Sequence, residues 1–190
     1  MKKKTKGIIQ NILIIIVVVI IAAFLGRGCI YRTTVSFKEE GGRKNYKVKD
    51  KNLAAHIENN IPAGQEKDIE SIIDLSQEIT AKTLSFSSDI KENDPNKVVL
   101  LKNANRTGYA TFTAATGNYL IDKYKLSEVW EARPMKGRFY LFGIDMRAKT
   151  KSNMFKDRDF VIFRNRVTKR EIAVDPVIYD SWGIDRISQY

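Results

Sequence analysis

The sequence has one cysteine, Cys29, and one histidine, His56, among its 190 residues. A single cysteine cannot form a disulfide within the chain, so cysteine content carries no information about the redox compartment. The same count excludes a zinc site built from cysteine and histidine. A catalytic cysteine–histidine pair would have to join Cys29 to His56, and neither lies in a segment patterned as a folded core. The sequence has no P-loop and no dinucleotide-binding glycine pattern, so we expect no cofactor and no metal.

The composition is that of a basic chain with enough apolar residues for one packed core. Hydrophobic residues make up 43% of the chain and aromatic residues 10%, and the formal net charge is +11. The length allows a short anchor and one domain, but not two domains of usual size. The charge is unevenly spread, because residues 1–6 hold four lysines and residues 27–60 hold eight Lys/Arg against four Asp/Glu.

A long apolar run follows the first lysines, from Ile12 to Leu25, and Ile8 and Ile9 extend it. As a helix, the residues from Ile8 to Leu25 span roughly 27 Å, close to the thickness of a bilayer's hydrocarbon core. In lipid such a helix satisfies its own backbone, whereas in water so many β-branched residues would aggregate. The four lysines outweigh the basic residues after the run, which predicts a cytoplasmic amino terminus and an extracytoplasmic domain.

Two alternatives to a transmembrane anchor stay open for this segment. A cleaved signal peptide needs small residues at its cleavage site, and Phe24-Leu25-Gly26 matches that requirement poorly. A lipoprotein would use Cys29, but Gly26-Arg27-Gly28 is a poor context for lipid attachment. We therefore favour an uncleaved, single-pass transmembrane anchor.

The pattern divides the chain into three parts. Residues 1–28 form a basic cytoplasmic tail and the transmembrane anchor, residues 29–51 a stalk or linker, and residues 52–190 the folded domain. The middle part is polar, basic and contains glycine, which is typical of a linker. Within it we predict a short strand at residues 33–37 and a turn at Gly41-Gly42.

Hydrophobic periodicity changes along the folded domain. Helices are predicted for residues 51–60, 65–84 and 107–123. Four later runs are rich in aromatic and β-branched residues and predict strands, with Met135-Lys136-Gly137 as a turn between the first two. These runs are EVWEAR, RFYLFGIDMRA, DFVIFRNR and REIAVDPVIYD. Helices followed by strands predict an α+β domain with an antiparallel sheet packed on the helices.

The helix predicted at residues 107–123 should lie at the centre of the domain. Its residues from Gly108 to Gly117 are mostly small or poor helix formers, so packing rather than propensity must form it. Asn105 is a candidate N-cap for this helix. Arg106 then stands in its first turn, at the positive end of the helix dipole, where a cation is disfavoured.

Three separated motifs occur in the order ANRTGYATFTAATGNYL, FKDRDFVIF and IAVDPVIYD. Together they resemble the transglutaminase-like fold, a relative of the papain-like cysteine hydrolases, across residues 60–185. In that family the pattern is similar to N-C-x-G-Y-A at the start of the core helix. A strand carrying D-H-D-F-V follows, and then a strand carrying V-D-P.

The resemblance implies a catalytic cysteine at position 106, a histidine at position 158 and an orienting carboxylate at Asp175. In such a site the helix dipole stabilises the thiolate, the imidazole takes the thiol proton and the carboxylate orients the imidazole. This chain has Arg106 and Arg158 instead, and a guanidinium is neither a nucleophile nor a general base near neutral pH. Thr107 is a candidate substitute nucleophile, but without a base at position 158 its hydroxyl would stay neutral.

Two interpretations of these positions are open. In the first, the motifs are a mere likeness, and Asp157, Asp159 and Asp175 are surface charges or turn formers. In the second, the degenerate cleft is a binding site whose two guanidiniums face Asp175 or a carboxylate or phosphate of the ligand. The candidate binding residues are Arg106, Thr107, Tyr109, Arg158, Asp159 and Asp175.

Residues 131–170 are basic, with twelve Lys/Arg against four Asp/Glu, and aromatic residues are interleaved. A nucleic-acid surface can have this composition. On strands, however, alternate aromatic residues point to the core and basic residues to solvent, and an extracytoplasmic domain would not meet nucleic acid. An anionic polymer or an anionic lipid surface is the better candidate partner.

The sequence thus predicts a membrane-anchored, catalytically inactive transglutaminase-like domain that binds a peptide, an envelope polymer or a protein partner. Two alternatives remain. One is an active amide hydrolase or acyl transferase that uses non-standard residues, and the other is a purely structural envelope protein.

Overall fold

The structure is a computed structural model that describes the backbone of residues 2–150 and 157–190, and the side chains of these residues from Asn11 onward. The helices are α1 Lys2–Leu25, α2 Arg27–Thr34, α3 Lys51–Asn59, α4 Ile69–Thr83, α5 Pro95–Leu101, α6 Arg106–Lys123 and α7 Pro176–Trp182. The strands are β1 Val35–Gly42, β2 Ser85–Phe86, β3 Asn103–Ala104, β4 Trp130–Leu141, β5 Ile144–Asp145, β6 Asp157–Asn165, β7 Glu171–Val174 and β8 Ser188–Gln189. The start of the FKDRDFVIF motif and two basic residues, Lys151 and Lys156, lie outside the described residues.

The main sheet has the order β7-β6-β4-β1-β8, and β5 also pairs with β4. One of its faces packs on α6 through residues such as Ala132, Val161 and Phe163, and α4 packs on α6. The α+β class is therefore confirmed. The sheet is mixed rather than antiparallel, because the chain returns after α7 and places β8 parallel to β1.

One long strand, β4, replaces the first two predicted strands. Met135-Lys136-Gly137 does not turn, because these residues pair with β1 on one side and with β6 on the other. Gly137 is explained by packing instead. A Cβ atom at this position would lie 2.9 Å from the carbonyl oxygen of Lys38 and would also overlap the ring of Phe160.

Residues 29–51, which the composition predicts to be a stalk or linker, contribute α2 and β1 to the folded part of the chain. Strand β1 pairs with β4 and β8, and its Val35 and Phe37 are buried in the core on the second face of the sheet. The glycines predicted to form a turn, Gly41 and Gly42, end this strand beyond a shift in register. The strand predicted at residues 33–37 overlaps the start of β1, which extends to Gly42. Its pairing could not be predicted from composition, because its partners lie about a hundred or more positions later.

Helix α6 lies at the centre, as predicted, and is buried without interruption from Gly108 to Gly117. Asn105 is confirmed as its N-cap, since its side-chain oxygen accepts a hydrogen bond from the backbone N–H of Gly108 at 2.9 Å. Small residues let the sheet approach closely, because a Cβ atom at Gly117 would lie 2.7 Å from the Phe163 ring. The helix thus depends on packing, which holds its first turn against β6.

Helix α1 has its described apolar side chains exposed, from Ile12 at 52% to Leu25 at 76%. Among the described side chains, no single helix has both the length and the hydropathy expected of a membrane span. Asn11–Leu25 and Arg27–Thr34 together have that length and hydropathy, but the chain bends by 66° between them.

Candidate functional site

The positions marked by the three motifs meet where the start of α6 approaches strands β6 and β7. Arg106 is the first residue of α6, Arg158 is the second residue of β6, and Asp175 directly follows β7. Strands β6 and β7 are neighbours in the sheet, which brings Arg158 and Asp175 together. Both of these residues act electrostatically on Arg106.

Arg158 and Asp175 form a buried ion pair. The Nε atom of Arg158 lies 3.8 Å from Oδ2 of Asp175, and the two side chains are only 6% and 1% exposed. The Arg158 guanidinium also lies 5.8 Å from the centre of the Phe139 ring. Neither of these two atoms makes a hydrogen bond within the described part of the chain. The ion pair therefore lacks the hydrogen bonds that strengthen a buried pair of charges.

Asp175 has a second, structural role as the N-cap of α7. Its Oδ1 atom accepts hydrogen bonds from the backbone N–H groups of Val177 and Ile178, at 3.0 and 3.1 Å. Burial raises the pKa of the Asp175 carboxyl, while Arg158, these two N–H groups and Arg106 oppose the rise. Ionising the Asp175 carboxyl group in this site therefore costs free energy, and the neighbouring groups only partly offset that cost.

Arg106 is half-buried and touches the strand that carries Arg158. Its Nη1 atom donates to the backbone carbonyl of Asp157 at a distance of 3.4 Å. Burial and the like charge of Arg158 hold the pKa of Arg106 below its usual range, whereas Asp175 and Asp159 oppose that shift. The two nearby carboxylates explain how a cation is accommodated at the positive end of a helix.

Thr107 and Asp159 form a second contact at the start of α6. The Thr107 hydroxyl donates to Oδ2 of Asp159 at 2.9 Å, and Nε of Arg43 donates to Oδ1 of the same carboxylate at 2.6 Å. Because successive strand residues point to opposite faces, Asp159 and Arg158 point to different sides of β6. The candidate nucleophile therefore faces a carboxylate that is already paired with a guanidinium.

Tyr109 does not join this cluster. Its side chain is fully buried, and its hydroxyl oxygen lies 2.9 Å from both the backbone carbonyl oxygen of Leu84 and Oδ2 of Asp180, either of which can accept its single proton. Burial first and the hydrogen bond to Asp180 second raise the pKa of the Tyr109 hydroxyl. This residue supports the core and presents no surface to a ligand.

Sequence reasoning missed Arg43 and Tyr31, which both lie in the predicted stalk. Tyr31 of α2 packs against the core on the second face of the sheet, and its hydroxyl lies within electrostatic reach of Arg158 and Asp175. Arg43 reaches the site because β1 ends beside β4. Neither residue belongs to a motif, so only the pairing of β1 could have pointed to them.

Two cavities lie elsewhere on the domain. The larger, of about 400 Å³, is a groove beside α6, and it has aromatic, amide and charged side chains. Its lining includes Asn45, Tyr46, Asn118, Tyr119, Ser127 and Trp130. The smaller, of about 330 Å³, lies beside β7 and is lined by residues such as Glu70, Arg170 and Arg186. Arg106, Arg158 and Asp175 line neither cavity.

Most of the arginines in the basic region, residues 131–170, are paired with carboxylates. Arg138 and Arg147 share Glu40, each at 2.6 Å, and Arg138 also contacts Asp145. Further ion pairs are Arg133–Glu131, Arg164–Glu171, Arg166–Glu131 and Arg170–Glu70. This pairing weakens the case for a polyanion surface in this region.

Over residues 2–150 and 157–190, the structure has no group of three or more His, Cys, Asp or Glu side chains placed to hold a metal ion. The cluster itself offers guanidinium, carboxylate and hydroxyl groups. It can bind an anion or hold a fold together, but it has no imidazole and no thiol.

Neither the sequence, compared with protein families and with curated proteins, nor the fold, compared with solved structures, gives a match. The geometry of the chain therefore carries the functional argument.

Proposed function

We propose that the chain is a membrane-anchored, non-catalytic, transglutaminase-like domain that acts by binding. The Arg158–Asp175 pair carries this proposal. Where the resemblance requires an imidazole oriented by a carboxylate, this chain has a buried guanidinium that cannot take a proton from a nucleophile. With Arg106 in place of the thiol, both reacting groups of that chemistry are missing.

Helix α1 supports the anchor in this proposal. Its apolar side chains are exposed along the described part of the helix, and four lysines precede them in the sequence. An exposed apolar surface of that length is strongly disfavoured in water and favoured in lipid. The lysines favour a cytoplasmic amino terminus, with the domain on the other side of the membrane.

The groove beside α6 is the proposed ligand site, because the Arg158–Asp175 pair has almost no surface to offer a ligand. Its volume of about 400 Å³ lies within the range of small-ligand sites. Tyr46, Tyr119 and Trp130 combine apolar ring faces with polar edges, and Asn45 adds an amide. This lining suits a peptide or a segment of an envelope polymer, and Arg106 and Thr107 remain partly exposed where α6 begins.

The absence of catalysis is tested by rebuilding the missing groups. The wild-type domain should show no thiol-dependent amidase, protease or cross-linking activity, since acid–base assistance alone supplies about 10²–10⁴-fold and the nucleophile is also absent. In a Cys29→Ser background, Arg106→Cys with Arg158→His should place a helix-terminal thiol near an imidazole held by Asp175. We expect this thiol to react with a limiting alkylating probe faster than the thiol of an unfolded peptide.

The matched control is Arg106→Cys alone, which has the thiol but keeps Arg158. If the double variant reacts no faster than the unfolded peptide, the assignment of these positions to a degenerate catalytic site is wrong. If instead the unmodified domain turns over an amide, the non-catalytic proposal fails.

Binding in the groove is tested through Trp130. The chain has two tryptophans, so Trp182→Phe leaves Trp130 as the only one. Titration of this variant with peptides and with soluble envelope-polymer fragments should give a saturable change in Trp130 emission. Ser127→Leu, which narrows the groove, should abolish that change. An emission that none of these probes alters would contradict the groove as the ligand site.

A second candidate function, an amide hydrolase or acyl transferase that uses Thr107, is favoured by one contact. The Thr107 hydroxyl lies 2.9 Å from Oδ2 of Asp159, within reach of a proton acceptor. The same carboxylate is also ion-paired with Arg43, at 2.6 Å. An amidase activity lost in Thr107→Ala and retained in Thr107→Ser would establish this function in place of the first.

A further inference from the structure

One side chain, Arg27, joins the end of the apolar helix to the end of α7. Its Nη1 atom donates to the backbone carbonyl of Phe24 at 3.0 Å, and its Nε atom donates to that of Trp182 at 2.6 Å. Phe24 lies in the last turn of α1, and Trp182 is the last residue of α7. A cation at two helix carboxyl ends satisfies terminal carbonyl groups and complements both dipoles.

Other bonds fix α2 to the same part of the domain. Arg32 pairs with Asp185 at 3.4 Å, and the Ser188 hydroxyl donates to the backbone carbonyl of Arg32 at 2.7 Å. Gly183 packs so closely against Arg27 that a Cβ atom would lie 2.9 Å from its Nη2. The direction in which α1 leaves the domain is therefore set by tertiary contacts and not by a flexible linker.

Large apolar side chains are uncovered at this junction. Trp182 is 64% exposed, and Phe24, Leu25 and Ile30 are each at least half exposed. We call these four residues the junction face. Tryptophan is enriched where a bilayer meets water, because its ring is apolar and its N–H is polar. The junction face is continuous with α1, the segment whose apolar surface requires lipid.

We propose that the junction face docks on the bilayer, with Trp182 inserted at the level of the lipid headgroups. This inference rests on the membrane anchoring proposed above. Trp182 lies at that level because Arg27 donates hydrogen bonds to the backbone carbonyls of both Trp182 and Phe24, and Phe24 lies at the end of the apolar run. Docking holds the domain against the membrane surface in one orientation.

The experiment uses the full chain reconstituted in phosphatidylcholine vesicles, with and without lipids brominated near the glycerol backbone. Trp130→Phe leaves Trp182 as the only tryptophan. We expect brominated lipid to quench Trp182 emission, and reconstitution to protect that emission from aqueous iodide. The matched control, Trp182→Phe, leaves Trp130, which is nearly buried in the core and should be unaffected by the brominated lipid.

A third variant separates docking from anchoring. Phe24→Trp, combined with Trp130→Phe and Trp182→Phe, reports on α1 itself. If brominated lipid quenches the tryptophan emission of the Phe24→Trp variant but not that of Trp182, the docking is overturned and the anchor stands. If neither is quenched, the anchor fails and the docking with it. Quenching of both confirms that the domain lies on the bilayer.

Discussion

Arg158 and Asp175 carry opposite charges in an environment that exposes 6% and 1% of their side chains. A buried pair of this kind recovers much of its desolvation cost from mutual attraction, so it adds little net stability. Removing only one partner is different, because the other charge then stays buried without compensation. At the scale of single residues, the pair therefore acts as a unit.

We predict that Arg158→Met destabilises the domain by about 3–5 kcal/mol, the usual cost of breaking a buried ion pair. Arg158→Met combined with Asp175→Asn should cost less than the sum of the two single changes, because no unpaired charge remains. Urea unfolding of the two single variants and the double variant measures this coupling. Additive costs would show that the two side chains do not interact.

The pH dependence of stability provides an independent check. Burial raises the folded-state pKa of Asp175 above its ordinary value of 3.8, so the folded state binds the proton more readily than the unfolded state. The stability that this group contributes is present below that value and is lost as pH rises through the folded pKa. The free energy of unfolding of the wild type, relative to Asp175→Asn, should therefore fall as pH is raised from about 4 to about 7. A relative stability that rises over this interval would contradict the raised pKa.

At the scale of elements, α6 depends on how closely it approaches the sheet. Gly117 lies at that approach, where a Cβ atom would be 2.7 Å from the Phe163 ring and 3.4 Å from Cβ of Ala132. Helix propensity favours alanine over glycine by about 1 kcal/mol, whereas overpacking a core costs about 1–3 kcal/mol. Packing should decide the outcome.

We therefore predict that Gly117→Ala lowers the free energy of unfolding by up to about 2 kcal/mol, the overpacking cost less the gain in propensity. The matched control is Gly28→Ala in α2, where a Cβ atom would meet nothing within 4 Å. Gly28→Ala should be neutral or stabilising. Chemical unfolding of both variants in the same detergent gives the comparison, and a stabilised Gly117→Ala would mean that α6 packs less closely on the sheet than these distances require.

At the scale of the whole molecule, the folded unit begins before the boundary that the composition indicates. Strand β1 lies between β4 and β8, and Phe37 packs against Phe139 and Phe160 with ring centres 5.7 Å apart in each case. Residues 52–190 alone would leave one edge of β4 unpaired and these two rings uncovered. Such an exposed strand edge also favours aggregation.

We predict that residues 27–190 fold cooperatively without α1, whereas residues 52–190 do not. Losing a buried phenylalanine costs about 3–5 kcal/mol, and the total stability of a domain is only about 5–15 kcal/mol. Thermal melts followed by circular dichroism, together with dispersion of amide NMR signals, distinguish the two chains. A cooperative melt of residues 52–190 would show that β1 is dispensable.

Several features were predictable because they depend on near neighbours in the chain. The Asn105 cap, the burial of the small residues of α6 and the α+β class follow from spacing and composition over a few residues. The order of the three motifs predicted that Arg106, Arg158 and Asp175 surround one cleft; in the structure Arg158 pairs with Asp175 at 3.8 Å, and both act electrostatically on Arg106. This order could be read in the sequence because each motif is local.

Other features depend on residues that are distant in the chain, and only the tertiary structure decided them. Arg43 meets Asp159 across 116 positions, and Arg27 meets Trp182 across 155. Composition predicted a linker around Arg43, because polar and basic residues are common in solvent-exposed segments. Pairing with β4 makes the preceding residues a strand that buries Val35 and Phe37, although Lys38 to Gly42 stay exposed. The free energy of covering Phe37 and of satisfying the backbone groups outweighs the local preference for solvent.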